Sequence, residues 1–208
     1  MENINISDVI IDSVETPIFI KLGNRGRKHK TDAPAAGPGS IENIRIGNIT
    51  ARSAGIVGSS ITGYPGNYIN NVLLYNIDIQ SKGEGSAKDT SMLVPENSRQ
   101  YPKNAMFGVN LPAYGIYVRH VKNITFDKVK FRLENAELRS AVVLDDVHEA
   151  ELENLKALPV YTGPLLRMKE CNAVNINHTG DLLLMRKQID LSGTGNKNVF
   201  LNNNLINK

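Results

Sequence analysis

A short pattern recurs seven times in this chain and leaves few folds open to it. It begins at Asn3 (NINISDVII), Asn43 (NIRIGNITA), Asn71 (NVLLYNIDI), Asn123 (NITFDKVKF), Glu149 (EAELENLKA), Ala173 (AVNINHTGD) and Asn198 (NVFLNNNLI). The pattern asks for apolar residues at its second, fourth and seventh places. Of the 21 such places 19 are apolar, the exceptions being Thr179 and Asn204. A chain with 41% hydrophobic residues fills about nine by chance. Alternation at the second and fourth places has the period of a β-strand. The starts lie 40, 28, 52, 26, 24 and 25 residues apart. The unit is therefore about 25 residues, within the solenoid range, and the two long spacings hold insertions.

Many units carry a second apolar run: PIFIK from Pro17, AVVLD from Ala141, PLLRMK from Pro164. Amphipathic helices do not recur, which excludes helical and leucine-rich repeats. Two or three short strands per unit fit an all-β chain, a parallel β-helix of about seven coils stacked about 4.8 Å apart. Residues 1–208 form one such domain. The sixth place reads Asp8, Asn48, Asn76, Lys128, Asn154, His178 and Asn203. Asparagine tolerates left-handed backbone, and stacked amides can form a ladder, so these are turn residues rather than ligands.

Two segments interrupt the rhythm, Leu22 to Ser40 and Gly83 to Gly115. Both are rich in Gly, Pro and polar residues and are expected to leave the stack as loops. The second carries Tyr101, Phe107 and Tyr114, rings that either pack a sugar or pin the loop. Net charge is +3, with 24 basic against 21 acidic residues. Only Arg25 to Lys30 gathers its positive charge, and no nucleic-acid motif accompanies it, so no nucleic-acid partner is expected. Nor is a membrane partner, since no apolar run is long enough to span one. One cysteine, Cys171, allows no internal disulfide and reads as a core residue. No cofactor or metal motif is present.

The stretches NINISDVIIDSVETPIFIKLG, SSITGYPGNYINNVLLYNIDI, VPENSRQYP and LPAYGIYVRHVKNITF, spanning about residues 2–147, resemble the C-terminal half of glycoside hydrolase family 28, the polygalacturonase family, of the kind common in gut Bacteroidetes. The resemblance implies a right-handed β-helix, inverting hydrolysis of a pectic polysaccharide, and a periplasmic or secreted parent enzyme. That family carries its chemistry on Asn-Thr-Asp, Asp-Asp, Gly-His-Gly and Arg-Ile-Lys motifs. Phe19-Ile20-Lys21 stands where the fourth is expected. No Asn-Thr-Asp or Gly-His-Gly occurs in the chain. The resemblance places the first three motifs upstream of Met1, so truncation on that side is expected and no catalytic residue is assigned.

Lys21 then projects into the groove toward a uronic-acid carboxylate. Arg25 and Arg27 follow at its edge, where a cationic rim would concentrate a polyanion. Tyr114 and Arg119 complete the expected substrate contacts, with Tyr117 on the face of Arg119 and His120 on the other as a structural histidine. Asp145-Asp146 is the only adjacent aspartate pair. It lies three coils from Lys21, some 14 Å by the inter-strand spacing, too far for one catalytic centre, and reads as a solvated turn. The chain is thus expected to supply the cationic side of a pectin-degrading groove and to be inactive alone. The alternatives are a non-catalytic module binding acidic polysaccharide and a structural β-helix that self-associates through an uncapped N-terminal coil.

Overall fold

The computed structural model describes residues 1–26, 30–34, 37–157, 164–178 and 182–207. Thirteen strands form one sheet: β1 (Glu2–Asp12), β2 (Phe19–Lys21), β3 (Glu42–Ala54), β4 (Ser59–Thr62), β5 (Ile69–Ser81), β6 (Ala113–Leu133), β7 (Ser140–Glu153), β8 (Lys156–Ala157), β9 (Leu166–Lys169), β10 (Asn172–Asn177), β11 (Ile189–Ser192), β12 (Lys197–Leu201) and β13 (Asn204–Leu205). Two short α-helices, α1 (Ala87–Thr90) and α2 (Leu182–Lys187), lie outside it. The chain is all-β, and among the described residues every strand pair is parallel except β12–β13. This is a β-helix-like arrangement. One stack runs β1-β3-β5-β6-β7-β10-β12. A second runs β2-β4-β6-β7-β9-β11, the long β6 and β7 bending to serve both.

Pairing follows the repeat place by place. The second places form one column, Ile4, Ile44, Val72, Ile124, Ala150, Val174 and Val199. The fourth places form another, Ile6, Ile46, Leu74, Phe126, Leu152, Ile176 and Leu201. From β3 onward both columns are buried. A fully buried aliphatic side chain contributes roughly 1.5–3 kcal/mol, so these columns hold the stack together.

The corners are left-handed. All seven first places have positive φ, including Asn3 (57°), Asn43 (57°) and Asn71 (55°), and so do six of the seven sixth places, His178 being the exception. Amide ladders run along both lines: Asn71 Nδ2 donates to Asn43 Oδ1 (2.7 Å) and Asn43 Nδ2 to Asn3 Oδ1 (2.9 Å), while Asn76 donates to Asn48 (2.7 Å) and Asn48 to Asp8 (3.0 Å). The turn role expected of the sixth place extends to the first.

The two ends of the stack differ. At the β1 end Ile4, Ile6, Val9 and Ile11 line a cavity of about 560 Å³, and Ile10 is 78% exposed. At the other end β13 folds back antiparallel on β12, Phe200 opposite Leu205.

Asn71→Ala removes a left-handed-tolerant residue and its ladder amide together. We expect it to lower unfolding free energy by about 1–2 kcal/mol, measured by urea denaturation.

Candidate functional site

The second stack turns two columns of side chains away from the core. One reads Phe19, Ser60, Tyr117, Val143, Arg167 and Asp190; the other reads Lys21, Thr62, Arg119, Asp145, Lys169 and Ser192. The register keeps Lys21 and Asp145 three rungs apart. Between β5 and β6 the chain makes a long loop that lies across this face. Met106, Phe107 and Leu111 of the loop pack on Ala113, Tyr117 and Val143 in a second apolar cluster.

Three cations fasten the loop. The Lys21 ammonium donates to the carbonyls of Gly63 (3.1 Å) and Glu96 (3.0 Å) and lies 5.4 Å from the centre of the Phe107 ring. Arg119 donates to the carbonyls of Val94 (2.7 Å) and Pro95 (3.1 Å) and pairs with the Glu96 carboxylate at 3.2 Å. Arg139, fully buried, donates to Glu137 at 2.7 and 3.1 Å and to the carbonyls of Ile56 and Leu111. Glu137 accepts the Gly85 amide at 3.2 Å, so one ion pair holds both ends of the loop. Gly85 must be glycine here, since a Cβ would lie 2.1 Å from the Glu137 carboxylate.

Asp146 sits at the next corner. It accepts from the Tyr68 hydroxyl at 2.8 Å, and its carboxylate lies 2.5 Å from His120 Nδ1 and 3.0 Å from His148 Nε2. The other His120 nitrogen lies 3.1 Å from Glu96. Burial works to raise the Asp146 carboxyl; the contacts from His120, Tyr68 and His148 outweigh it and hold the group below the usual carboxylate range. Burial, then the Asp146 contact, pushes the Tyr68 hydroxyl up to about 12. Next to this cluster Tyr117 donates to Asp145 at 2.8 Å.

Several expectations change in this light. Tyr114 is not a substrate contact: it is 1% exposed and packs edge-on against Phe131 at 6.5 Å between ring centres. An irregularity in register between Ala113 and Ile116 turns it inward. Tyr117, on the same face as Arg119 as expected, takes the outward place. Arg119 braces the loop. Lys21 lies on the expected face with its ammonium engaged by backbone carbonyls. Arg25 is exposed and stacks over Tyr101 at 5.0 Å. Arg27, with Lys28 and His29, lies outside the described residues. Phe107 pins the loop. Asp146 is no solvated turn, and His120 stays beside Arg119 because its φ of 52° ends the strand alternation there. Cys171 is buried, its thiol pushed up by burial to about 12.

The loop leaves one part of the face open. A cavity of about 260 Å³ lies between the 90–94 segment and the columns, with Tyr117, Arg119, Asp145, Arg167, Lys169 and Ser192 along its floor. Arg167 is fixed by Asp190 (3.0 Å) and by the carbonyl of Thr90. Lys169 is exposed, and its ammonium has no partner among the described residues. Repeat alignment alone places Arg167 and Lys169 in these columns. Glu96 comes from the loop, where no periodicity points to it. Among the described residues no helix is long and apolar enough to cross a membrane and no side-chain group suits a metal ion.

No protein-family model matches the chain, and no curated protein matches it. Among solved structures it is similar to a protein of Parabacteroides merdae described as a "putative glycosyl hydrolase", with 13% identity and a TM-score of 0.33 over 76% of this chain and 74% of that one. At that level the likeness bears on neither fold nor function.

Burial, reinforced by the charge of Arg119, lowers the Lys21 ammonium to about 8 from 10.5. Between those values the unfolded chain binds more protons than the folded one, so this group's contribution to stability rises with pH from about 8 to 10.5. Urea denaturation at stepped pH should show that rise in the parent chain and a flatter profile in Lys21→Met.

Proposed function

We propose that this chain forms the saccharide-binding face of a pectin-degrading glycoside hydrolase of the polygalacturonase type, on a right-handed parallel β-helix. In this reading it holds an acidic sugar without cleaving the glycosidic bond by itself. The observation that carries the proposal is the open cavity on the second stack. It is slightly smaller than the roughly 300 Å³ at which drug-sized sites begin and suits one sugar ring. Lys169 offers an unpaired ammonium to a uronate carboxylate, and Arg167, already oriented by Asp190, offers a second cation. Asp145 and Ser192 can accept or donate to hydroxyls.

Binding is favoured over hydrolysis by the way the carboxylates at this face are engaged. An inverting glycosidase needs two carboxyl groups roughly 6.5–9.5 Å apart, one of them a proton donor to the leaving oxygen. Glu96 is ion-paired with Arg119, and Asp145 accepts the Tyr117 hydroxyl with Arg119 at 4.0 Å. Asp146 takes three polar contacts and is held ionised. Each of the three is engaged by partners within the protein.

Isothermal titration with trigalacturonate should give saturable binding that Lys169→Ala weakens roughly tenfold or more, the loss of one charged contact. The same preparation should release no reducing sugar from polygalacturonate. Absence of binding at millimolar ligand would sink the binding proposal, and sustained turnover would sink its non-catalytic part.

A further inference from the structure

The sixth-place corner holds Asp8, Asn48, Asn76, Lys128 and Asn154 on successive rungs, all with positive φ. Four of the five are Asn or Asp, residues that tolerate this backbone. Lys128, at φ 54°, is the exception and sits there at a cost. It also ends the amide ladder. Asn76 donates to Asn48, and Asn48 to Asp8. Beyond Asn76 the line stops: among the described residues neither the Asn76 Oδ1 nor the Asn154 side-chain amide has a partner.

Two residues after this corner the outward column reads Asp78, Lys130 and Lys156. Like charges directly opposite each other on neighbouring strands destabilise a sheet. Asp78 offsets part of this, lying 3.6 Å from the Lys130 ammonium, but it is shared with Arg132 at 2.7 Å. The ammonium groups of Lys128 and Lys156 have no ion pair among the described residues. Asn76, Asp78, Lys128, Lys130, Asn154 and Lys156 together line a cavity of about 430 Å³. The stacked lysines would be relieved by a bound anion, and the broken ladder leaves the Asn76 Oδ1 to accept from a ligand hydroxyl and the Asn154 amide to donate to one.

We propose that this corner is a second saccharide site, on a different face from the first, which takes a carboxylate of an acidic polysaccharide on Lys128, Lys130 and Lys156 and sugar hydroxyls on the amides of Asn76 and Asn154. Among the described residues the cavity lining has no aromatic ring on which a base could stack, which favours a polysaccharide over single-stranded nucleic acid. The site does not depend on the groove described above.

The test uses the full chain carrying Lys169→Ala, labelled with nitrogen-15, titrated with trigalacturonate at low salt. Saturable shifts are expected at the amides of 76–78, 128–130 and 154–156. Adding Lys128→Asn restores the residue the corner prefers. It should raise the melting temperature by roughly 1–3 °C while weakening binding at these amides about fivefold or more. That pairing separates ligand binding from a structural role. No saturable shift at these amides, or an unchanged affinity in Lys128→Asn, overturns the proposal. So does inorganic sulfate that binds there as tightly as the trisaccharide, or an oligothymidylate that binds more tightly.

Discussion

In-register parallel stacking governs everything else in this molecule. Because each rung lies directly on the last, a place in the repeat becomes a column along the stack, and one residue's environment is set by its equivalents above and below. Ile4 to Val199 is a single column drawn from seven segments that are far apart in the chain. Apolar columns bury one another and need no partner outside the stack. Polar columns must be satisfied along the axis, by amides that donate from rung to rung, or across it, by whatever covers the face. The left-handed corners make this possible, since they turn the chain sharply enough for successive short strands to face different ways while keeping register.

Covering the second stack presents a different problem. The loop between β5 and β6 has little regular structure, so many of its carbonyls need donors from outside its own backbone. Lys21, Arg119 and Arg139 supply them, donating to Glu96, Val94, Pro95 and Leu111 of the loop. A buried cation without partners would be prohibitive; here the cost is offset by several acceptors per side chain and by Glu96 and Glu137. The residues that best resemble a cationic binding groove are therefore engaged in holding its roof. The free positive charge lies further along the same columns, where the loop no longer reaches, at Lys169.

The parts of this structure that were legible in the sequence are those that repetition determines. The apolar columns, the parallel strands, the two loops and the sixth-place turns all follow from residues recurring at fixed places. The first-place turns were equally present in the pattern, with Asn in five of seven copies, but a residue opening an apolar strand is easily assigned to the strand. What was not legible arises where periodicity breaks. Tyr114 reads as outward until the irregularity beside Gly115 turns it inward. His120 reads as opposite to Arg119 until positive φ breaks the alternation within β6. Glu96 meets His120 and Arg119 only because a loop without internal period folds over them, and its path depends on contacts with Phe107 and Leu111 that no spacing encodes.

The same principle separates the two candidate sites from the rest of the surface. A column of alternating or neutral polar residues is self-sufficient, as the Asn3–Asn43–Asn71 line is. A column that places incompletely compensated cations on adjacent rungs is not, and part of the repulsion persists for as long as no further anion is bound. Lys130 above Lys156 is such a case, and a repeat protein has little freedom to avoid it by local adjustment, because moving one rung displaces its neighbours. Stability and ligand affinity therefore pull against each other at these positions. Substitutions toward Asn, the residue the corner prefers, should favour the folded chain at the expense of whatever acidic group the lysines hold.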